Sequence, residues 1–224
     1  MTNYDYSVIL GETLPFWNKL TDQERNNVLH STQSVTFQKG YTVHDGNECT
    51  GVILVRSGSL RIYIISEDGR EITLYRLFPG EICMLSASCV LDAITFDVFV
   101  DAEENSECII IGGCAFAELS EKCADVKIFA LECAVNSFSD VMWVMQQILF
   151  MSMDKRLAIF LLDEASKTNS DTIKLTHEQI AKYIGSAREV VSRMIKYFSN
   201  EGILESSRGG VKIINKPKLR ALTV

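Results

Sequence analysis

Between Ser34 and Ile111 the chain is assembled from short β-rich pieces, and this constrains its fold more than any other feature. The pieces read SVTF, GVILV, SLRIYIIS, EITLYRLF, AITFDVFV and CIIIG, with turn signals between them at Lys39-Gly40, Asp45-Gly46, Ser57-Gly58, Asp68-Gly69 and Pro79-Gly80. Asp68-Gly69 between two alternating runs is a hairpin signal, because a tight turn needs the positive φ that glycine tolerates. Strands this short cannot stand singly. Their spacing predicts a small antiparallel barrel or roll.

Helical periodicity flanks this region. Residues 14–31, LPFWNKLTDQERNNVLHS, read as short helices, with Thr21 and Glu24 spaced as a capping box. After Gly113 the pattern is helical throughout. Leu131, Val135, Phe138, Met142, Met145 and Leu149 step alternately by four and three, a 3.5-residue seam. A helix over 124–152 would be about 40 Å long at ~1.5 Å per residue. A small roll cannot cover such a seam, so a second copy of the same helix is the economical partner, giving a two-fold dimer. Asp154 is placed to cap the next helix, DKRLAIFLLDEASK.

The charge changes at the same point. Residues 154–224 carry a balance of +5 and residues 1–153 a balance of −12, within a net −7. A small basic part on a larger acidic one points to a polyanion met by the C-terminal part, and phosphate would be repelled from the rest. The expected division is a β-roll over 14–123, a dimerisation helix over 124–153 and a basic domain over 154–224. The start, MTNYDYSVIL, has no basic segment and no cleavage pattern, and no uninterrupted apolar run approaches a bilayer span. Seven cysteines without a secretory signal imply a reducing cytoplasm and mostly free thiols. No membrane association is expected.

In the basic part, Thr176 to Gln179 form one capping box and Ser186 to Glu189 are spaced as a second. Gly185 between them gives the helix–turn–helix spacing, with the second helix as the reader. Val190, Val191, Met194, Ile195 and Phe198 make its apolar face. Arg188, Glu189, Ser192, Arg193 and Lys196 lie opposite, over the turns that reach base edges. An arginine forks onto guanine and a glutamate accepts from cytosine, so the two together can read a G·C pair. The competing reading is a solvated ion pair, with Glu189 serving only as a cap. Gly202 ends the helix, and ILESSRGGVKII follows as a hairpin, a wing with Arg208 at its tip.

The run IAKYIGSAREVVSRMIKYFSNEGIL is similar to the winged helix-turn-helix of the cyclic-AMP receptor protein/Fnr (Crp/Fnr) family of bacterial transcription regulators. DKRLAIFLL resembles the first helix of that domain. GVILVRSGSLRIY with LFPGE resembles the family's cyclic-nucleotide-binding-like jelly roll, and the seam fits its dimerisation helix. The resemblance covers about residues 14–220 and implies an α+β chain that binds palindromic double-stranded DNA as a homodimer. Arg188, Glu189, Ser192 and Arg193 would read bases, and Thr176, Lys196 and Arg208 would add contacts. RNA polymerase is a further implied partner.

The effector is less legible. Gly80-Glu81 match the start of the family's phosphate cassette, but ICMLSASCVLDAITF after them holds no Arg or Lys, so cyclic AMP is not expected. No cysteine precedes Cys49, so the N-terminal ligands of the family's iron–sulfur members are missing. Gly80, Glu81, Cys83 and Cys89 are the sensor candidates. Thiol oxidation, haem ligation by His30 or His44 and plain core packing of the cysteines all stay open. No nucleophile–base pair, P-loop or metal motif is present, so neither catalysis nor a metal site is expected. The alternatives are a cyclic-nucleotide-binding signalling module or a thiol-based redox protein.

Overall fold

A computed structural model describes residues 3–46, 49–87, 90, 97–207 and 209–223. The chain divides into two compact units, Met1–Ile65 with Leu74–Val141 and Ser66–Thr73 with Met142–Val224.

The first unit begins with α1 (Asn3–Thr13). It forms because Tyr6, Ile9 and Leu10 bury themselves in a core shared with Val28 and Leu29 of α2 (Asp22–His30). The stretch expected to be helical before α2 is only a 3-10 turn at Trp17–Lys19, just after Pro15. The Thr21 capping box is formed: Glu24 N–H donates to Thr21 Oγ1 at 3.3 Å, and Thr21 N–H donates to the Glu24 carboxylate at 2.8 Å.

Among the described residues eight strands follow: β1 (Thr32–Phe37), β2 (Thr42–His44), β3 (Val52–Ser57), β4 (Leu60–Ile65), β5 (Glu71–Leu77), β6 (Ile82–Cys83), β7 (Phe99–Ala102) and β8 (Ser106–Ile111). They make two four-stranded sheets, β1-β8-β3-β6 and β2-β7-β4-β5. The pairs β1–β8, β3–β8, β3–β6, β2–β7 and β4–β7 are antiparallel. The expected roll is therefore present. In the described part of the expected strand AITFDVFV, Asp97 and Val98 precede the strand and Phe99 begins it; residues 91–96 lie outside the described residues.

Side-chain alternation explains the uninterrupted apolar runs. In β3, Val52 and Leu54 face the core beneath α1 and α2, whereas Ile53 and Val55 face the core between the sheets. In β8, Ile109 and Ile111 face the first and Cys108 and Ile110 the second. Both strands are buried on both faces, which is why VILV and CIII contain no polar residue. Strand β4 differs. Leu60 and Ile62 enter the inter-sheet core, while Arg61 and Tyr63 alternate with them. The Arg61 guanidinium lies 3.9 Å from the centre of the Tyr63 ring and pairs with Asp101, its cross-strand neighbour, at 3.3 Å.

Helix α3 (Gly113–Lys122) leads into α4 (Ala124–Phe150), whose 27 residues match the expected long helix. All six seam residues are exposed, with Val135, Phe138 and Leu149 near 60%. By length and composition α4 would also serve as a bilayer span. Its polar residues recur, however, at Glu132, Asn136, Asp140, Gln146 and Gln147, so its apolar surface is a stripe rather than a full cylinder.

The second unit holds α5 (Met153–Lys167), β9 (Thr172–Ile173), α6 (His177–Tyr183), α7 (Arg188–Asn200), β10 (Leu204–Ser207), β11 (Gly210–Ile213) and α8 (Lys216–Ala221). Leu157, Leu161, Ile180, Val191, Ile195, Phe198, Val211 and Leu219 close one core. The expected wing is β10–β11, and it gains a third strand in the order β10-β11-β9. Asp154 is not the cap of α5. Ser152 stands at that position, and a hydrogen bond from its side chain holds the Asp154 carboxyl below the ordinary carboxylate range.

Candidate nucleic-acid interface

Helix α7, the expected reader, is oriented by its apolar face. Val191, Ile195 and Phe198 are fully buried, and Met194 packs against the same core. Each buried large side chain stabilises this orientation by about 1.5–3 kcal/mol. The helix therefore cannot roll about its axis, and Arg188, Glu189, Arg193 and Lys196 are held outward and exposed, with Ser192 half-buried among them.

The turn before the helix is tightly specified. Thr176 Oγ1 accepts from Gln179 N–H at 3.2 Å, and Gln179 Oε1 accepts from Thr176 N–H at 2.9 Å, so the first capping box exists. Gly185 has φ +59°, a conformation that disfavours any side chain, and a Cβ there would lie 3.2 Å from Ile148. The buried Arg156 of α5 donates to Ile184 O and Gly185 O, and Arg70 donates to Gly185 O at 2.7 Å. Two guanidiniums thus satisfy the carbonyls at the end of α6. Burial, and secondarily Arg70, pulls the Arg156 pKa down. Sequence reasoning missed Arg156, since nothing marks a helical arginine as facing inward.

The second capping box is not formed. Ala187 is the N-cap of α7 and makes no side-chain bond, while Ser186 is held in the turn by its own N–H donating to Ala181 O at 2.9 Å. Glu189 is therefore in the first turn without a capping duty. The competing ion pair is absent as well. Among the described residues, Arg188, Glu189, Arg193 and Lys196 make no ion pair and no side-chain hydrogen bond, although other lysines of this unit do: Lys182 with Glu71, Lys216 with Asp171 and Lys218 with Glu201. Leu175, Thr176, His177, Arg188, Ser206 and Gly210 help to line a cleft of about 350 Å³ between the two helix starts and the wing. Arg208 lies outside the described residues.

The sensor candidates are placed differently. Gly80 N–H donates to Val55 O, and the Glu81 carboxylate accepts from Phe78 N–H at 2.8 Å, so both residues build the β5–β6 turn. Cys83 is fully buried between the sheets, and burial pushes its thiol up. Cys89 lies outside the described residues. His30 Nδ1 lies 2.6 Å from Asn26 O within its own helix, and His44 Nδ1 lies 2.8 Å from Thr50 Oγ1. Among the described residues no group of three or more His, Cys, Asp or Glu is placed to hold a metal ion.

Residues 155–222 match the Crp-like helix-turn-helix domain, and residues 35–123 match the cyclic nucleotide-binding domain. A Crp/Fnr-family structure from Eubacterium rectale ATCC 33656 is 41% identical, covers 95% of this chain and 99% of its own, and superposes with a TM-score of 0.91. The transcriptional activator protein FnrA of Stutzerimonas stutzeri is 27% identical over 83% of this chain and 78% of its own length. The cAMP-activated global transcriptional regulator Vfr of Pseudomonas aeruginosa is 23% identical over 74% and 81%. With its roll, its long helix and a recognition helix whose polar face is unpaired, this chain belongs to the Crp/Fnr family of DNA-binding transcription regulators.

Proposed function

We propose that two copies of this chain pair along the exposed seam of α4 and set their α7 helices into successive major grooves of a palindromic duplex. Arg188, Glu189, Ser192 and Arg193 read base edges, while Thr176, Lys196 and Arg208 hold phosphates. The observation that carries this reading is the unpaired outward face of α7: charges that the fold has left without partners on a helix it has fixed in orientation. Thr176 Oγ1 already accepts from Gln179, which leaves its hydroxyl proton to donate outward. The regulator works in the cytoplasm and contacts RNA polymerase.

The test is duplex selection with the full chain, followed by titration. Arg193→Ala and Glu189→Ala should each weaken the preferred site by about 1–3 kcal/mol and relax base choice at one position. Lys196→Ala should weaken all duplexes alike and lower the salt slope by about one. Full selectivity in the Arg193 and Glu189 variants, or a wild-type chain that sediments as a monomer at micromolar concentration, overturns the reading.

The roll senses something other than a cyclic nucleotide. A phosphate drawn into it needs a cation or a nest of N–H groups. Arg61 is paired with Asp101, and Arg76 pairs with Glu103 at 2.6 Å. Residues 82–96 contain no basic side chain at all. Cyclic AMP and cyclic GMP should bind no tighter than about millimolar, and a micromolar constant by isothermal titration would return the roll to second-messenger sensing.

A further inference from the structure

The buried arginine of the second unit lacks a counter-ion. Arg156 on α5 is 9% exposed, and its Nη2 donates to Ile184 O and, at 3.5 Å, to Gly185 O. Among the described residues its Nε–H and Nη1–H donors make no hydrogen bond, and no carboxylate pairs with it. A second guanidinium stands beside it. Arg70 donates to the same Gly185 O at 2.7 Å, and its like charge adds to burial in pulling the Arg156 pKa down. The nearby acids are otherwise engaged: Glu71 pairs with Lys182 at 2.8 Å, and Asp68 is exposed and accepts from Ser66 Oγ. The carbonyls of Ile184 and Gly185 offer partial charge only. Two cations thus meet at one turn with no full negative charge against the buried one, and a buried charge in that state is costly.

A cavity of about 90 Å³ adjoins this arginine, and all of its lining residues belong to the second unit. Arg156 helps to line it together with Val144, Ile148, Ile159, Phe160 and Asp163. Phe160 stacks on Tyr183 with ring centroids 5.5 Å apart, which makes one wall flat and largely apolar. The walls select an occupant. A guanidinium makes strong, charge-assisted hydrogen bonds to carboxylate oxygens. Val144, Ile148 and Ile159 suit an alkyl stub behind such a group. The volume admits only a small molecule of a few heavy atoms. A phosphate dianion fits badly, because its remaining oxygens would lie unbonded against apolar side chains. Its second charge would also face Asp163, the one acid among the lining residues. Burial raises the pKa of Asp163, with Lys167 acting the other way, and its charge opposes any anion in the cavity.

We propose that this cavity is a binding site for a short aliphatic monocarboxylate, held by the unused N–H donors of Arg156, with its alkyl stub among Val144, Ile148 and Ile159. The ligand supplies the full negative charge that the fold withholds from the buried guanidinium. It touches the last turns of α4, the body of α5 and the end of α6 together, and so braces the turn that leads into α7. The site stands whether or not α7 reads DNA as set out above, and its test uses no DNA.

The experiment titrates the full chain with propionate in a chloride-free buffer, followed by calorimetry and by methyl NMR. Propionate should bind with a dissociation constant of about a millimolar or below, and propionamide, its uncharged counterpart, at least about tenfold more weakly. The methyl signals of Val144, Ile148 and Ile159 should shift on saturation, whereas those of Ile53 and Ile62 in the roll should stay in place. Arg156→Lys should lose at least about tenfold in affinity, because a compact ammonium cannot serve the two carbonyls and the ligand from separate nitrogens. Asp163→Asn should bind about threefold tighter, since it removes the opposing charge. Val144→Phe, which fills the cavity, should abolish binding. If Arg156→Lys folds poorly, the other two variants decide, since neither alters the bonds that Arg156 makes. Equal binding of propionamide, shifts confined to other methyls, wild-type affinity in Asp163→Asn or Val144→Phe, or no binding below about 10 mM overturns the proposal.

Discussion

The two units handle charge in opposite ways. In the roll, Arg61 and Arg76 are largely withdrawn from solvent and each is matched to a carboxylate, with Arg76 on Glu103 and Arg61 on Asp101. On α7, Arg188, Glu189, Arg193 and Lys196 stand in solvent with no ion pair. A buried charge must be paired to be tolerated, so the arginines of the roll are part of its structure. An exposed charge on a fixed helix costs the fold little when left unpaired, and so remains available to a ligand. The acidic roll and the basic helix-turn-helix therefore differ in what their cations can still do, more than in how many they hold.

The largest effect that would break this contrast is in the roll. Arg76→Met strands the Glu103 carboxylate, whose side chain is 9% exposed, and should lower the free energy of unfolding by about 3 kcal/mol in urea titration. Pairing it with Glu103→Leu should recover most of that loss. An unchanged midpoint for the single variant would mean that the pair is not structural. A smaller effect separates the two boxes of the helix-turn-helix. Thr176→Ala removes a formed cap and should cost about 1 kcal/mol, whereas Ser186→Ala should stay within about 0.5 kcal/mol. Equal losses would restore Ser186 as a cap and Glu189 as its partner.

The smallest effect is a pH dependence. Burial lowers the pKa of His44 below its ordinary value of 6.5, against the raising influence of Asp45 and Asp97. The unfolded imidazole takes up its proton first, so stability is fully present above that value and declines as pH falls through the folded pKa. Thermal melts at pH 7.5 and 5.5 should show a smaller acid loss in His44→Gln than in the wild type. An identical loss in both would assign the pH dependence to other groups.

How much was legible in the sequence followed from whether a signal was local. The Thr21 and Thr176 boxes, the turns and the 131–149 seam are each set by residues within one helix or turn, and they stand where the spacing puts them. Helix α1 was not legible because it is held by burial rather than by propensity: Tyr6 OH accepts from Ser34 N–H across 28 positions. The second box failed for a related reason. Its serine spacing is right, but a backbone bond to Ala181 already holds Ser186 in the turn. On the polar face of α7, periodicity showed which residues point outward, but only the geometry shows that they are unpaired. In the roll, alternation could not decide which way Arg61 faces, because β4 carries apolar residues on both of its faces, Leu60 and Ile62 on one and Tyr63 and Ile65 on the other.

That two-sided burial has a consequence for motion. The amides of β3 and β8 are bonded across to each other, from Val52 opposite Ile111 to Val55 opposite Cys108, and packed side chains close over both faces. Solvent can reach those bonds only if one of the two cores comes apart. In deuterium exchange they should be the last of the roll to label, at a rate set by unfolding of the whole unit, while β2, with three residues and a break in its pairing register, exchanges through local openings.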